Sequence, residues 1–332
     1  MEKSTNWTIG LVLEVAKIAT LGQIPIINSL DSRPVNLVSV GIQKGLNGSY
    51  EIFRIKTEAD FEPTALLTTA NYHLYVAKLP SGQLGFMKIS ANVDCNSAID
   101  HEYQTLQYLH QKALENDNLA IKAGQKNPFY EAFFPNPLEI IDIPDGRKAI
   151  FIGFDPSIQE YKQLSPLSVI LRNRRVDLQT TMWILGKLIK LLVFVHEEGY
   201  ANLFVDPSNV LIEPNLHAVF VLDWSYSRGD QKFCSSDIHT DLQAAAKLAW
   251  LISGGTNDSP PPHDSDILSQ KGHDEFVEFI HDLNLAYNAR SCWSLLYQEP
   301  HGLAHRLWPK EELPNGKNKR VFHPFRTYDL PK

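Results

Sequence analysis

The stretch that most constrains the fold runs over residues 196–226, HEEGYANLFVDPSNVLIEPNLHAVFVLDWSY. It holds two short apolar runs, VLI and AVFVL, separated by the turn residues EPN, and this pattern is typical of a β-hairpin. Asn209 stands just before the hairpin and Asp223 just after it. Because the two ends of a hairpin lie together, the sequence predicts an amide and a carboxylate side by side. Such oxygen ligands suit a hard cation, so Asn209 and Asp223 are the candidate metal ligands.

This order of elements resembles the catalytic loop and the metal loop of the protein-kinase fold. The family pattern is H-R-D-x-x-x-x-N, then a hairpin, then D-F-G. When the two are aligned on Asn209, the family's His, Arg and catalytic Asp fall on Asn202, Leu203 and Phe204. The resemblance therefore implies that the metal ligands are present and that the catalytic base is absent, because a phenyl ring cannot accept a proton.

Two further acids belong to this region. Asp206 lies two residues beyond Phe204, where many relatives carry a phosphate-contacting Lys, and it is the candidate for an alternative base or a third metal ligand. Asp241 leads the run DLQAAAKLAWLISGG, which resembles the next buried helix of the family. The family's Asp at this point braces the backbone of the catalytic loop, so the resemblance implies a structural role for Asp241.

Two residues in the N-terminal half extend the resemblance. Lys88, in the run GFMKI, stands where the family's phosphate-binding Lys lies on a strand. Glu102 falls in a helical pattern over residues 97–115 and matches the Glu that pairs with that Lys. The resemblance therefore implies an ion pair that orients the Lys head. The polar residues 116–133 that follow are predicted to be a loop-rich insertion.

The nucleotide site implied by the resemblance departs from the family in two ways. The covering loop at residues 68–73 has no glycine, whereas a Gly-rich loop lets backbone N–H groups approach phosphates. Phe86 stands where the family has a small Ala above the adenine. Gly153 and Phe154 match the segment that hydrogen-bonds adenine, and Leu211 matches the apolar floor of its pocket. The implied cofactor is ATP or another nucleotide with Mg²⁺ or Mn²⁺; the alternative is no cofactor.

Composition bounds the environment of the chain. The net charge of −7 argues against a general nucleic-acid binder. The three cysteines lie far apart with no CxxC spacing, which is typical of reduced thiols in the cytoplasm. The apolar run over residues 9–27 carries Glu14 and Lys17, so it is predicted to be an amphipathic helix packed on the body. We therefore expect a cytoplasmic protein without a membrane segment.

The order of strand and helix patterns predicts an α+β chain with the two lobes of a kinase-like fold. Residues 1–60 are expected to form an N-terminal extension that packs on the small lobe, with strand patterns over 35–43 and 49–55. Residues 61–154 form the β-rich lobe, and residues 155–332 form the helical lobe and its tail. The tail motif KRVFHPF resembles, more weakly, the ends of bacterial kinase-like proteins fused to J-domain chaperones, and it indicates a bacterial origin.

These departures predict a pseudokinase, a kinase-like chain that acts in regulation or as a scaffold with little or no phosphoryl transfer. The first alternative is a divergent ATP-dependent phosphotransferase that uses Asp206. The second is a scaffold that binds no nucleotide and presents the N-terminal extension and the arginines of residues 172–175 to a partner. A solvated surface is the expected role of those arginines. The partner is expected to be a protein, and the sequence leaves the oligomeric state open.

Overall fold

The structure is a computed structural model, and the residues that it describes are 36–46, 48–56, 67–69, 71–82, 84–125, 128–153, 165–171, 174–213, 218–229, 232–298, 301–308, 311–312, 318–319 and 325–329. The architecture is α+β, with a curled antiparallel sheet in the N-terminal part and helices after it. The chain divides into two compact units, Met1–Gln163 and Leu164–Lys332. The helix predicted over residues 9–27 and the candidate residue Phe154 lie outside the described residues.

The first unit is built on one antiparallel sheet. Its strands are β1 Asn36–Gly45, β2 Gly48–Lys56, β3 Leu67–Thr68, β4 Tyr72–Lys78, β5 Leu84–Ser90, β6 Asn136–Asp142 and β7 Lys148–Gly153. The strand order is β1-β2-β4-β5-β7-β6, and the short β3 pairs with the start of β4. In β4, Tyr72, Leu74 and Val76 are buried on one face of the sheet, and Tyr75 and Ala77 are buried on the other. Apolar side chains therefore cover both faces. Each face therefore needs its own covering layer.

One long helix packs against the face of the sheet that carries Lys88. A 3₁₀ turn at Val93–Cys95 leads into α1, Asn96–Lys122, and the buried side chains of α1 include Ile99, Leu106 and Leu109. The helix runs well past residue 115, so the predicted loop-rich insertion is wrong for its first part. Asp117 lies in this part of the helix, and its two carboxylate oxygens accept the backbone N–H groups of residues 130 and 131 at 2.9 and 3.0 Å. This polar residue ties the following turn to the helix.

The second face encloses a core of its own because the sheet curls. The core residues are Tyr50, Ile52, Tyr75, Ala77, Leu79, Met87, Ile89, Ile143, Ala149 and Phe151. In a flat sheet, strands β2 and β7 would be roughly 14 Å apart, since β4 and β5 lie between them. Instead, the rings of Tyr50 on β2 and Phe151 on β7 stack with centroids 3.7 Å apart. The predicted N-terminal extension therefore contributes two strands and core residues to the same sheet.

Glu139 on β6 connects the two ends of the curled sheet. Its carboxylate accepts the Tyr50 hydroxyl at 2.9 Å, and it also accepts the backbone N–H of Leu46 at the tip of the β1–β2 hairpin. Glu139 is only 4% exposed. A buried carboxylate is stable only when donors such as these surround it, so the hairpin and Glu139 stabilise each other.

Replacing Glu139 by alanine should lower the free energy of unfolding by about 2–3 kcal/mol, because the buried Tyr50 hydroxyl and the N–H of Leu46 both lose a charged acceptor. Urea denaturation measures this loss. Asp142→Ala is the matched control, since Asp142 is exposed on the same strand and its loss should cost less than about 0.5 kcal/mol. Equal losses in the two variants would contradict the closing role of Glu139.

The second unit is mainly helical. Its elements are β8 Ser165–Pro166, α2 Leu167–Ile170, β9 Arg174–Val176, α3 Leu178–Glu197, β10 Tyr200–Ala201, β11 Val210–Glu213, β12 Ala218–Val221, β13 Arg228–Gly229, α4 Ser235–Ile252, α5 Gln270–Asn284, α6 Ala289–Tyr297, α7 Leu303–Leu307, β14 Glu311–Glu312, β15 Asn318–Lys319 and β16 Thr327–Asp329. Helix α3 packs against both α4 and α6. It begins where Asp177 accepts the N–H of Thr180, a side-chain N-cap. Its buried positions lie all around the helix, as in the centre of a core.

Helix α3 is also the one helix in the described part of the chain that is long and apolar enough to cross a membrane. Of its most apolar window, 78% is buried inside the protein. The core helix of a soluble protein has this property, because its apolar side chains face other protein elements rather than lipid.

The C-terminal strand β16 pairs with β9, the strand that contains Arg174 and Arg175. This pairing determines the environment of the two arginines. Arg175 is buried, its Nη2 lies 2.5 Å from Asp264 Oδ1, and its guanidinium lies 4.6 Å from the centroid of the Tyr328 ring. Arg174 donates to the Thr327 hydroxyl at 3.1 Å. The expectation of a solvated basic surface is therefore wrong for Arg175, because the returning tail covers it. Arg172 lies outside the described residues.

The cysteines differ in reactivity because they differ in burial. Cys292 in α6 is 5% exposed, and burial raises the pKa of its thiol to about 11, whereas Cys234 is exposed. The thiol of Cys292 therefore stays protonated at neutral pH. We expect iodoacetamide at neutral pH to alkylate Cys234 and to spare Cys292, as measured by peptide mass spectrometry. In urea both should react, and equal reaction of both in the folded chain would contradict this burial.

Candidate functional site

The first candidate cluster is a buried ion pair in the N-terminal unit. Lys88 on β5 and Glu102 on α1 are both 0% exposed, and Lys88 Nζ lies 2.5 Å from Glu102 Oε1. The ion pair predicted from the sequence is therefore present. The Lys88 ammonium also lies 4.1 Å from the centroid of the Tyr72 ring, an arrangement typical of a cation–π contact. Lys88 is thus enclosed by a carboxylate and an aromatic ring within the core of this unit.

Two other predicted nucleotide contacts lie on the same sheet. Phe86 is 8% exposed, and it lies on the same face of β5 as Lys88 because the two residues are two positions apart. Gly153 ends β7, and a Cβ atom there would lie 3.0 Å from Leu138 Cδ1. A larger side chain at this position would therefore crowd Leu138 and Leu79. The role of Phe86 and Gly153 in adenine binding stays a prediction.

The second candidate cluster is the loop between β10 and β11 in the C-terminal unit. Asp241, buried in α4, accepts the backbone N–H of Asn202 at 2.9 Å and that of Leu203 at 2.7 Å. The Nε2 atom of His196 lies 3.0 Å from the same carboxylate. Asp241 therefore braces the loop, as the resemblance implies. It lies in the second turn of α4, because that helix already begins at Ser235.

The brace holds a strained residue. Leu203 has a φ of +62°, in the left-handed region that non-glycine residues rarely adopt. Such a backbone persists only where its surroundings fix it, and here the Asp241 carboxylate receives the N–H of Leu203 directly. Asn202 adds a second restraint, since its side chain donates to the Asp223 carbonyl at 2.9 Å and accepts the N–H of Phe204 at 3.0 Å.

Asn209 and Asp223 lie side by side, as the hairpin pattern predicts. Strands β11 and β12 pair antiparallel between them, with Val210 opposite Val221. The Asn209 Oδ1 atom accepts the backbone N–H of Asp223 at 2.5 Å. The Asn209 amide also donates to the Phe204 carbonyl at 2.6 Å and to the Asp223 carbonyl at 3.2 Å. The Asn209 amide therefore joins the loop to the end of the hairpin.

The assignment of Asn209 and Asp223 as metal ligands stays a prediction. Both residues are buried, at 1% and 0% exposed, and the Asn209 oxygen already accepts a peptide N–H. Among the described residues, His, Cys, Asp and Glu form no group of three or more that could hold a metal ion. In the structure, the Asn209 side chain links the loop to the hairpin by hydrogen bonds.

Phe204 aligns with the catalytic Asp of the kinase pattern when the two are aligned on Asn209. It is half-buried, and its ring lies 5.0 Å from that of Tyr226 between centroids. Asp206 closes the following turn, since its Oδ1 atom accepts the N–H of Ser208 at 2.8 Å and the Ser208 hydroxyl at 2.6 Å. Leu211 is 3% exposed in β11, opposite Phe220 of β12, and so is a core residue of this small sheet.

Two residues that the sequence patterns do not single out shape these clusters: Tyr72 covers Lys88, and His196 supports Asp241. Asn202, which aligns with the His of the kinase pattern, donates its amide to the Asp223 carbonyl. The hairpin register could have suggested Tyr72, because it pairs with Ser90 and is therefore a diagonal neighbour of Lys88 on the same face. No local pattern identifies His196, since its partner Asp241 lies 45 residues away.

No protein-family model matches the chain, and no curated protein matches its sequence. Two clusters carry the chemistry that bears on function: a buried lysine–glutamate pair beside an aromatic ring, and a braced loop with a phenyl ring where the kinase pattern has an acid.

Proposed function

We propose that this chain is a pseudokinase: a kinase-like protein with little or no phosphoryl transfer that acts in regulation or as a scaffold through a protein partner. The observation that carries the proposal is Phe204. The loop around it is retained and braced, but the position that needs a proton acceptor holds a hydrocarbon ring.

The order of the elements supports the kinase-like part of this proposal. In the first unit, a strand lysine pairs with a glutamate on the next helix, and two further strands complete the sheet. In the second unit, a long core helix is followed by a loop, a hairpin and a helix whose aspartate holds the loop backbone. Five residues therefore stand in the family order and make contacts suited to it: Lys88, Glu102, Asn209, Asp223 and Asp241.

The state of the polar groups supports the loss of transfer. Phosphoryl transfer depends on positioned charges and metal ions that meet the phosphates. Here the Lys88 ammonium is buried beside the Tyr72 ring, and the Asn209 amide binds backbone groups. These residues keep the architecture of a kinase-like chain while their polar atoms stabilise its core.

A thermal-shift titration of the full chain tests this use of the residues. ATP, ADP and GTP are each added to millimolar levels, with and without Mg²⁺ or Mn²⁺. A ligand at 100 times its dissociation constant would stabilise the chain by about 2.7 kcal/mol, which is easily detected. We expect no change in the unfolding midpoint. A rise that requires both nucleotide and metal would contradict the use of Lys88 and Asn209 as structural residues.

A further inference from the structure

Tyr72 lies directly over the Lys88 ammonium. The Nζ atom is 4.1 Å from the ring centroid, Tyr72 is 1% exposed and Lys88 is 0% exposed. Glu102 Oε1 approaches the same ammonium at 2.5 Å. The electron-rich face of an aromatic ring attracts a cation, so the ring contacts the group that a phosphate oxygen would otherwise approach.

The backbone holds this ring in place. Tyr72 begins β4, and the turn before it contains no glycine. The Thr69 hydroxyl oxygen accepts the N–H of Tyr72 at 3.1 Å, and the Thr69 N–H donates to the Tyr72 carbonyl at 2.9 Å. On the other side, the N–H of Ala91 donates to the carbonyl of Asn71 at 2.8 Å. The turn is therefore tied both to itself and to the end of β5, and it fixes the start of the strand that carries the ring.

We propose that Tyr72 is an intramolecular plug that closes Lys88 to phosphate-bearing ligands such as nucleoside triphosphates. The inference rests on the proposed function, in which Lys88 matches the phosphate-binding lysine. A phosphate oxygen must come within about 2.8 Å of an ammonium to form a charge-assisted hydrogen bond. The Tyr72 ring occupies one side of Nζ and Glu102 a second, so two of the directions from which a phosphate oxygen could reach the ammonium are taken. Removing the ring would clear one of these directions without changing any charge.

Amine labelling tests the closure directly. The folded chain is treated with an amine-acylating reagent, and labelling rates at single lysines are followed by peptide mass spectrometry. Lys271, whose side chain is 88% exposed, is the internal standard. Lys88 should be protected in the wild type and in Tyr72→Phe, which keeps the ring. In Tyr72→Ala the rate at Lys88 should rise by at least ~10-fold, since the rate follows access to the amine. Tyr72→Val is a second opening variant that favours the strand if the alanine variant folds poorly.

Nucleotide binding to the same variants completes the test, with a fluorescent ATP analogue and Mg²⁺ as the probe and unlabelled ATP as the competitor. We expect no binding by the wild type or Tyr72→Phe, and competable binding by Tyr72→Ala and Tyr72→Val. The plug is wrong if wild-type Lys88 is labelled as fast as Lys271, if both opening variants leave Lys88 protected, or if Lys88 opens without nucleotide binding. None of these outcomes measures phosphoryl transfer, so the proposed function is tested separately by ATP turnover.

Discussion

Replacing Lys88 by methionine should lower the free energy of unfolding by about 3–5 kcal/mol, because it leaves the buried Glu102 carboxylate without its cation. Both side chains are 0% exposed and their charged atoms lie 2.5 Å apart. A lysine that served only to bind a ligand would cost far less to remove. Urea denaturation of the two variants Lys88→Met and Lys88→Met/Glu102→Leu measures the effect, and the double variant should recover most of the lost stability, since no buried charge remains.

Lys148→Met is the matched control for this experiment. Lys148 on β7 pairs at 2.6 Å with Asp100, which lies on the same helix as Glu102, but both side chains are partly exposed. The free energy of unfolding should therefore fall by less than about 1 kcal/mol. If Lys88→Met costs no more than Lys148→Met, Lys88 is not a core residue and the structural role assigned to the ion pair is contradicted.

Replacing Asp241 by alanine should cost about 3–4 kcal/mol, because one buried carboxylate serves three groups. The N–H groups of Asn202 and Leu203 and the ring of His196 lose their partner together. The left-handed backbone of Leu203 then loses the contact that fixes it. We expect a lower denaturation midpoint and faster amide hydrogen exchange over residues 202–209.

Asp258→Ala is the control for Asp241, since Asp258 is exposed in the loop that follows the same helix. Its effect should stay within about 0.5 kcal/mol, with unchanged exchange in the 202–209 loop. Fast exchange in that loop in both variants, or in neither, would contradict the bracing role of Asp241.

Local patterns predicted much of the secondary structure. The apolar runs on either side of a turn predicted strands β11 and β12, and the helical pattern over residues 97–115 predicted most of α1. The pairing of Lys88 with Glu102 followed from the resemblance, and it is present. These features depend on short segments whose periodicity or spacing records the structure directly.

The remaining features depend on contacts between distant residues, which no local pattern records. The curl of the sheet depends on Glu139, which lies 89 residues from Tyr50. Arg175 resembles a surface residue in its sequence context, but Asp264 and the returning C-terminal strand bury it. The proximity of Asn209 and Asp223 was predicted correctly. The hydrogen bond from a backbone N–H to the Asn209 oxygen was not predicted, because a motif records residue types and spacing but not the direction of a side chain.

ATP turnover by the full chain tests the central claim most directly. The wild type, Asp206→Asn and Asp223→Asn are incubated with labelled ATP and millimolar Mg²⁺ or Mn²⁺, and both released phosphate and label on the chain are counted. Asp206 is the acid nearest in sequence to Phe204, so it is the base that a divergent phosphotransferase would use. We predict that all three proteins give the rate of the buffer alone. A wild-type rate above that background which disappears in Asp206→Asn would contradict the account.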